Sequence, residues 1–195
     1  MLAQLELTLP LMALGYLSGT WLGALTVCRL ARVGDPRLAG SGNPGFSNVL
    51  RLHGRRLALA TLLVDATKGM PVLGLAMLLG LPPWAQGLVG LGVLLGHSYP
   101  VWYRFRGGKG VASAFGVMLL LTPWVALCCA LLWCLLAWRM RTAAIASLAS
   151  AAVAPLVAIW LAPDYVWVVI VFTLLVLVRH VLNIRRLGRG DEPEL

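Results

Sequence analysis

The chain has 195 residues, 60% of them hydrophobic and only 12% charged, with a mean hydropathy of +0.87. A soluble domain carries about twice that charge, so the composition excludes an ordinary globular enzyme and implies a single helical domain, residues 1–195, embedded in a membrane. The net charge of +9 invites a nucleic-acid reading, but no basic face interleaved with aromatic residues supports one.

Apolar runs long enough to cross a bilayer, about 20 residues each, define seven segments in chain order. They are Leu9 to Leu30, Leu57 to Gly80, Trp84 to Tyr103, Val111 to Leu121, Trp124 to Trp138, Thr142 to Leu161 and Tyr165 to Leu182. The opening MLAQLELTLP lacks a basic stretch, so no cleavable signal is expected and the first run stays as a span. Pro82-Pro83, Thr122-Pro123 and Pro163-Asp164 mark tight turns on one side. The fourth segment is too short to span unaided. It either continues from the loop before it or merges with the fifth across Pro123. Cys28, Cys128, Cys129 and Cys134 sit in or at the ends of apolar runs without metal-ligand spacing and read as small buried hydrophobes.

With the N-terminus outside, every Lys and Arg except Lys68 falls on the inner side, while the outer turns hold Glu6 and Asp164. That asymmetry is the positive-inside pattern. It predicts an all-α polytopic protein of seven transmembrane helices, N-terminus outside and C-terminus cytoplasmic. Most of the basic excess is then explained by topology and anionic headgroups.

Two inner loops carry more than topology needs. In AGSGNPGFSNVLR (Ala39 to Arg51), Gly40, Gly42 and Gly45 alternate with Ser41, Asn43, Ser47 and Asn48. Glycine lets a backbone turn its N–H groups toward an anion, and Arg51 would clamp phosphate oxygens in two-pronged fashion. Arg55, four residues on, shares its helix face. In YRFRGGKGVAS (Tyr103 to Ser113), Gly107, Gly108, Lys109 and Gly110 open an apolar helix, where free N–H groups and the helix dipole favour anions. The pattern lacks GxxxxGK[ST] and a preceding strand, so a nucleotide-hydrolysing loop is rejected.

Other polar residues lie near these loops or deeper within the spans. His97 ends the third segment and is either a ligand contact or a satisfied interfacial histidine. Asp65 and Lys68, three apart within the second span, share a face and form either a structural ion pair or a support behind the site. His180 and Asn183 share a face where the last span emerges. Ser147 is either a contact or a small packing residue. Three scattered histidines suggest no metal site, and no cofactor is expected.

Taken together, the ordered pieces resemble the bacterial acyl-phosphate-dependent glycerol-3-phosphate acyltransferase family. They are AGSGNPGFSNVLRLHG, Asp65-x-x-Lys68-Gly69, GHSYPVWYRFRGGKGVAS, SLAS at Ser147 to Ser150, and RHVLNIRRLGRG. Phe46-Ser47 stands where the family commonly has Ala-Thr, Arg106 where it has Lys, and Ala144-Ile145 where it has a basic-aromatic pair. The resemblance implies acyl transfer from acyl phosphate to glycerol 3-phosphate, giving lysophosphatidic acid and phosphate. It carries substrate contacts onto Ser41, Asn43, Ser47, Asn48, Arg51, Lys109, Ser147, His180 and Asn183. It also implies a bacterial inner-membrane location, a cytoplasmic active site, surrounding membrane lipid and a partner enzyme that makes acyl phosphate. Lys109 and Arg51 are the expected electrostatic catalysts. The general base is either His180 or the substrate phosphate itself. A serine nucleophile and the HxxxxD acyltransferase signature both find no support in the chain. The competing reading is a transporter or channel for organic phosphates, which also uses broken helices and cationic loops.

Overall fold

The computed structural model describes residues 2–195, and among them every regular element is helical. Helices α1 (Leu2–Gly19) and α2 (Gly23–Leu30) make up the first apolar run, broken at residues 20–22. Two short helices follow the first glycine-rich loop: α3 (Phe46–His53), then α4 (Arg55–Thr67), which α5 (Met70–Leu78) continues after a break at Lys68-Gly69. Next come α6 (Pro83–Ser98), α7 (Val111–Leu121), α8 (Pro123–Met140) and α9 (Ala143–Leu161). The last run is α10 (Val166–Arg179) and α11 (Val181–Arg189), bent by 53° at His180.

By length and apolarity, four stretches can cross a bilayer: Gln4–Leu30, Arg55–Leu78, Pro123–Met140 and Ala143–Leu161; the bent pair ending the chain makes a fifth. The segments read from sequence as single helices are thus divided in three cases. The fourth stays separate from the fifth, because α7 stops at Leu121 and Thr122 leaves helical geometry (φ −142°, ψ 65°) before Pro123. At 11 residues α7 reaches about 16 Å, well short of the hydrocarbon thickness. Exposed Trp124, Trp160 and Trp167 lie by the short proline turns, and exposed Trp102 and Trp138 lie at the opposite ends of their elements. This is the distribution of an interfacial aromatic belt.

Helix α6 is the hub. It packs on α1, α5, α7 and α10, and Val89, Val93 and Leu94 are fully enclosed in the core with Leu73, Val117 and Phe172. The approach to α1 is backbone to backbone. A Cβ on Gly19 would lie 2.1 Å from the Val93 carbonyl oxygen, and one on Gly96 would lie 2.0 Å from that of Tyr16. Gly15/Gly19 and Gly92/Gly96 therefore form facing small-xxx-small stripes, the arrangement that lets apolar helices meet without a hydrophobic driving force.

The helix breaks are satisfied by one buried polar cluster. Lys68 and Asp65 pair at 3.0 Å, with both side chains essentially inaccessible. The Lys68 ammonium also donates to the Trp21 carbonyl at 2.8 Å and to His97 Nδ1 at 2.7 Å. Asp65 accepts from the Gly23 N–H at 3.0 Å, and its own carbonyl accepts from Ser113 Oγ at 3.0 Å. Backbone freed in the middle of a bilayer must find partners within the protein. Here the breaks at residues 20–22 and 68–69 face each other and are joined by the ion pair.

Candidate functional site

The first glycine-rich loop is held from inside by Asn48, which is 1% exposed. Its Nδ2 donates to the Pro36 and Ala39 carbonyls at 2.7 and 3.1 Å, and its Oδ1 accepts from the Ser41 N–H at 2.9 Å. The Gly42 N–H goes to the Ala39 carbonyl and that of Gly45 to the Asn43 carbonyl. The Ser41, Gly42 and Gly45 N–H groups are thus spent on the loop's own shape. Its Ser41, Asn43 and Ser47 residues line the main cavity.

The second loop is held in a similar way. The Gly107 and Gly108 N–H groups donate to the Ser98 and His97 carbonyls at 3.2 and 3.0 Å. Their own carbonyls accept from Arg179 at 3.1 Å each, and the Arg179 guanidinium stacks over Tyr99 at 4.8 Å. A Cβ on Gly108 would lie 2.2 Å from His97 Nε2, so this glycine serves close packing on the imidazole. The expectation of an N–H cradle at Gly107 and Gly108 is therefore corrected: those donors are already taken. His97 is buried and fixed by Lys68 from behind, as a satisfied histidine would be, and it also lines the main cavity.

Both loops open onto one cavity of about 490 Å³. Its polar end is lined by Ser41, Asn43, Ser47, Arg51, Lys109 and His180, with Gly110, Asn48 and Ser147 alongside. The remainder is apolar wall from α4, α7, α8, α9 and α10, including Leu62, Phe115, Met118 and Trp133. Trp133 Nε1 donates to Ser147 Oγ at 3.0 Å and stands edge-on to Phe46. His180 is 2% exposed and its Nδ1 lies 2.8 Å from the Val176 carbonyl. That bond places the proton on Nδ1 and leaves Nε2 a free acceptor.

Charge converges on Lys109. Burial pulls its ammonium down to about 8, Glu192 pulls it back upward, and Arg51, Arg186 and Arg179 push it further down. Burial also lowers the Arg51 guanidinium from its ordinary value, with Glu192 opposing. Arg51 and Lys109 thus place two partly buried cations on a largely apolar cavity, an arrangement that favours anions.

Several sequence candidates fall elsewhere. Arg55 is exposed and lines neither this cavity nor its neighbour. Gly42 and Gly107 line a second, more open cleft of about 540 Å³ with Arg37, Arg104 and Arg106. Asn183 is buried and does not line the main cavity; its Nδ2 donates to Glu192 Oε1 at 2.6 Å. Glu192 itself lines the cavity and was missed in the sequence. The available signal was a run of acids, Asp191, Glu192 and Glu194, directly after an arginine-rich helix.

Residues 9–190 match the family model described as "Glycerol-3-phosphate acyltransferase". The chain belongs to the glycerol-3-phosphate acyltransferase family. A relative of that name from Chromohalobacter salexigens is 64% identical over 96% of this chain and 93% of its own. One from Neisseria meningitidis is 42% identical over 96% of each. Among solved structures, the crystal structure of PlsY (YgiH), an integral membrane glycerol 3-phosphate acyltransferase, matches in its glycerol 3-phosphate form. The TM-score is 0.88 at 34% identity, covering 96% of this chain and 95% of that one. The lysophosphatidic acid form of the same protein matches with a TM-score of 0.87 at 33% identity. Family membership makes this chain an integral membrane acyltransferase acting on glycerol 3-phosphate.

Proposed function

We propose that the cavity joins a fatty acyl group from acyl phosphate to glycerol 3-phosphate. The carrying observation is that Arg51 and Lys109, from separate loops, line one end of a cavity whose other walls are apolar. A donor with a phosphate head and an oily tail fits both ends at once, as does the product. The glycerol hydroxyl oxygen attacks the acyl carbonyl carbon, the bond from that carbon to the phosphate oxygen breaks, and inorganic phosphate leaves. The hydroxyl proton passes to His180 Nε2 or to a phosphate oxygen. An acyl phosphate is already activated, so the protein's work is to align two anions and to stabilise charge on the departing one.

On this reading Arg51 and Lys109 bind the phosphates, while Ser41, Asn43, Ser47 and Ser147 orient the head groups. His97 acts through Gly108 to hold the second loop. The acyl chain lies along Phe115, Met118 and Trp133. The protein crosses the bacterial cytoplasmic membrane seven times, with the N-terminus outside and the cavity's polar end toward the cytoplasm. The positive-inside asymmetry supports that orientation. The short α7 and the loop before it together make the fourth crossing, which draws that loop into the interface.

The test is purified protein in a lipid mesophase given glycerol 3-phosphate with acyl phosphate, acyl thioester or no donor. Phosphate release that needs both substrates, with thioesters inert, is expected. Turnover with thioesters alone overturns the donor assignment. His180→Ala at saturating substrate separates the two bases: a retained rate leaves the phosphate as the proton acceptor.

A further inference from the structure

The segment after α11 takes no part in the transfer as derived above, yet it is fastened across the cavity's polar end. Glu192 Oε1 accepts from Asn183 Nδ2 at 2.6 Å. Arg51 donates through Nη2 to the Pro193 carbonyl at 3.2 Å and through Nε to the Glu194 carbonyl. The Leu195 N–H then donates to the Arg141 carbonyl at 2.7 Å, reaching the α8–α9 corner. Resting on the function proposed above, we infer that residues 190–195 form a strap occupying the phosphate subsite of the substrate-free enzyme, and that Glu192 thereby sets the affinity for glycerol 3-phosphate.

Occupied donors and misplaced charge both mark the strap as a competitor of phosphate. The Nε and Nη2 edge of a guanidinium is the fork that takes two phosphate oxygens. Here that edge already holds two backbone carbonyls. A phosphate engages both prongs only after the strap lets go. Glu192 lines the cavity and acts electrostatically on both Arg51 and Lys109. Its Oε2 is buried with no hydrogen-bond partner among the described residues. A buried carboxylate oxygen left without a donor is poorly placed on its own account, and the surrounding cations are what hold it there. Phosphate brings more charge and three acceptor oxygens, so it matches the same cations better and displaces the carboxylate. The Arg141–Glu194 pair at 3.7 Å is largely exposed and adds little to the strap's hold. The strap is accordingly a competitor with modest grip, and binding carries the cost of opening it.

If the strapped form holds most of the population, apparent affinity is reduced by the open fraction. A chain ending at Gly190 should then lower the KM for glycerol 3-phosphate about 5- to 10-fold. Glu192→Gln in the full chain keeps the acceptor for Asn183 and removes the charge, so KM should fall in the same direction by a smaller factor. Both are measured at pH 6.5, where Lys109 is protonated, on protein whose thermal unfolding matches the parent. A KM that is unchanged or raised in both variants overturns the strap and makes the segment part of the receptor. Glu192→Gln should also move the alkaline limb of kcat/KM downward, since the upward pull on Lys109 is lost while Arg51, Arg179 and Arg186 remain. A limb that stays in place contradicts the assigned position of Glu192. Isothermal titration with inorganic phosphate separates this inference from the transfer reaction. Tighter phosphate binding by the shortened chain supports the strap even if no acyl transfer occurs; equal binding by both chains sinks it even if transfer proceeds.

Discussion

Lys109 offers the sharpest test of the proposed chemistry. Its ammonium is held down to about 8, chiefly by burial, so the cation is present below that pH and lost above it. At pH 9 about one tenth of the molecules retain the charge, against about nine tenths at pH 7. If Lys109 stabilises the departing phosphate, kcat/KM should fall about tenfold between those values. The acid side is set by ionisation of the substrate phosphates near pH 6. Lys109→Met should lose about 10²- to 10³-fold in kcat, the usual cost of removing one charge-stabilising donor. Lys109→Arg separates charge from titration, because a guanidinium stays protonated throughout. It should work more slowly than the parent and show no alkaline limb. The assay is inorganic phosphate release under saturating acyl phosphate from pH 6 to 9.5. A flat parent profile, or an identical limb in Lys109→Arg, refutes the role given to this residue.

Other outcomes follow from the same geometry. Arg51→Lys keeps a positive charge but loses the two-pronged fork, and KM for glycerol 3-phosphate should rise about 10- to 100-fold. Asp65→Asn leaves the Lys68 charge buried without its partner at 3.0 Å and should cost about 3–5 kcal/mol; unfolding in detergent measures it, and adding Lys68→Met should recover much of the loss. Gly19→Val forces α1 from α6, since even a Cβ would lie 2.1 Å from the Val93 oxygen. A loss of about 1–3 kcal/mol is expected, read as a lower Tm.

Much of this site was legible because its chemistry needs rare residue types in an apolar chain. Ser41, Asn43, Ser47, Arg51, Lys109 and His180 stand out against oily neighbours, and the structure gathers them on one cavity. Their hydrogen bonds were not legible. Nothing local says that Asn48 is committed to Pro36 and Ala39, or that Gly107 and Gly108 donate to the end of α6. Those assignments depend on which elements meet in space. The break at residues 20–22 was hidden because Thr20-Trp21-Leu22 stays largely apolar, and at Lys68-Gly69 the charged residue did not by itself show that the Asp65–Lys68 pair satisfies the freed groups of both breaks. The facing GYLSG and GVLLG stripes were present in the sequence but become meaningful only once α1 is seen lying on α6. Arg55 shows the opposite failure: helical spacing placed it near Arg51, yet the start of α4 at Arg55, after a glycine at φ 84°, turns it outward.

The proposed chemistry requires two cationic loops from distant parts of the chain to act on the same pair of phosphates. A double-mutant cycle on kcat/KM between Arg51→Met and Lys109→Met measures this directly. Charges that share one cavity should couple by about 1 kcal/mol or more, so that the double variant loses clearly less than the two single losses combined. Strict additivity would assign Arg51 and Lys109 to separate sites and contradict the account.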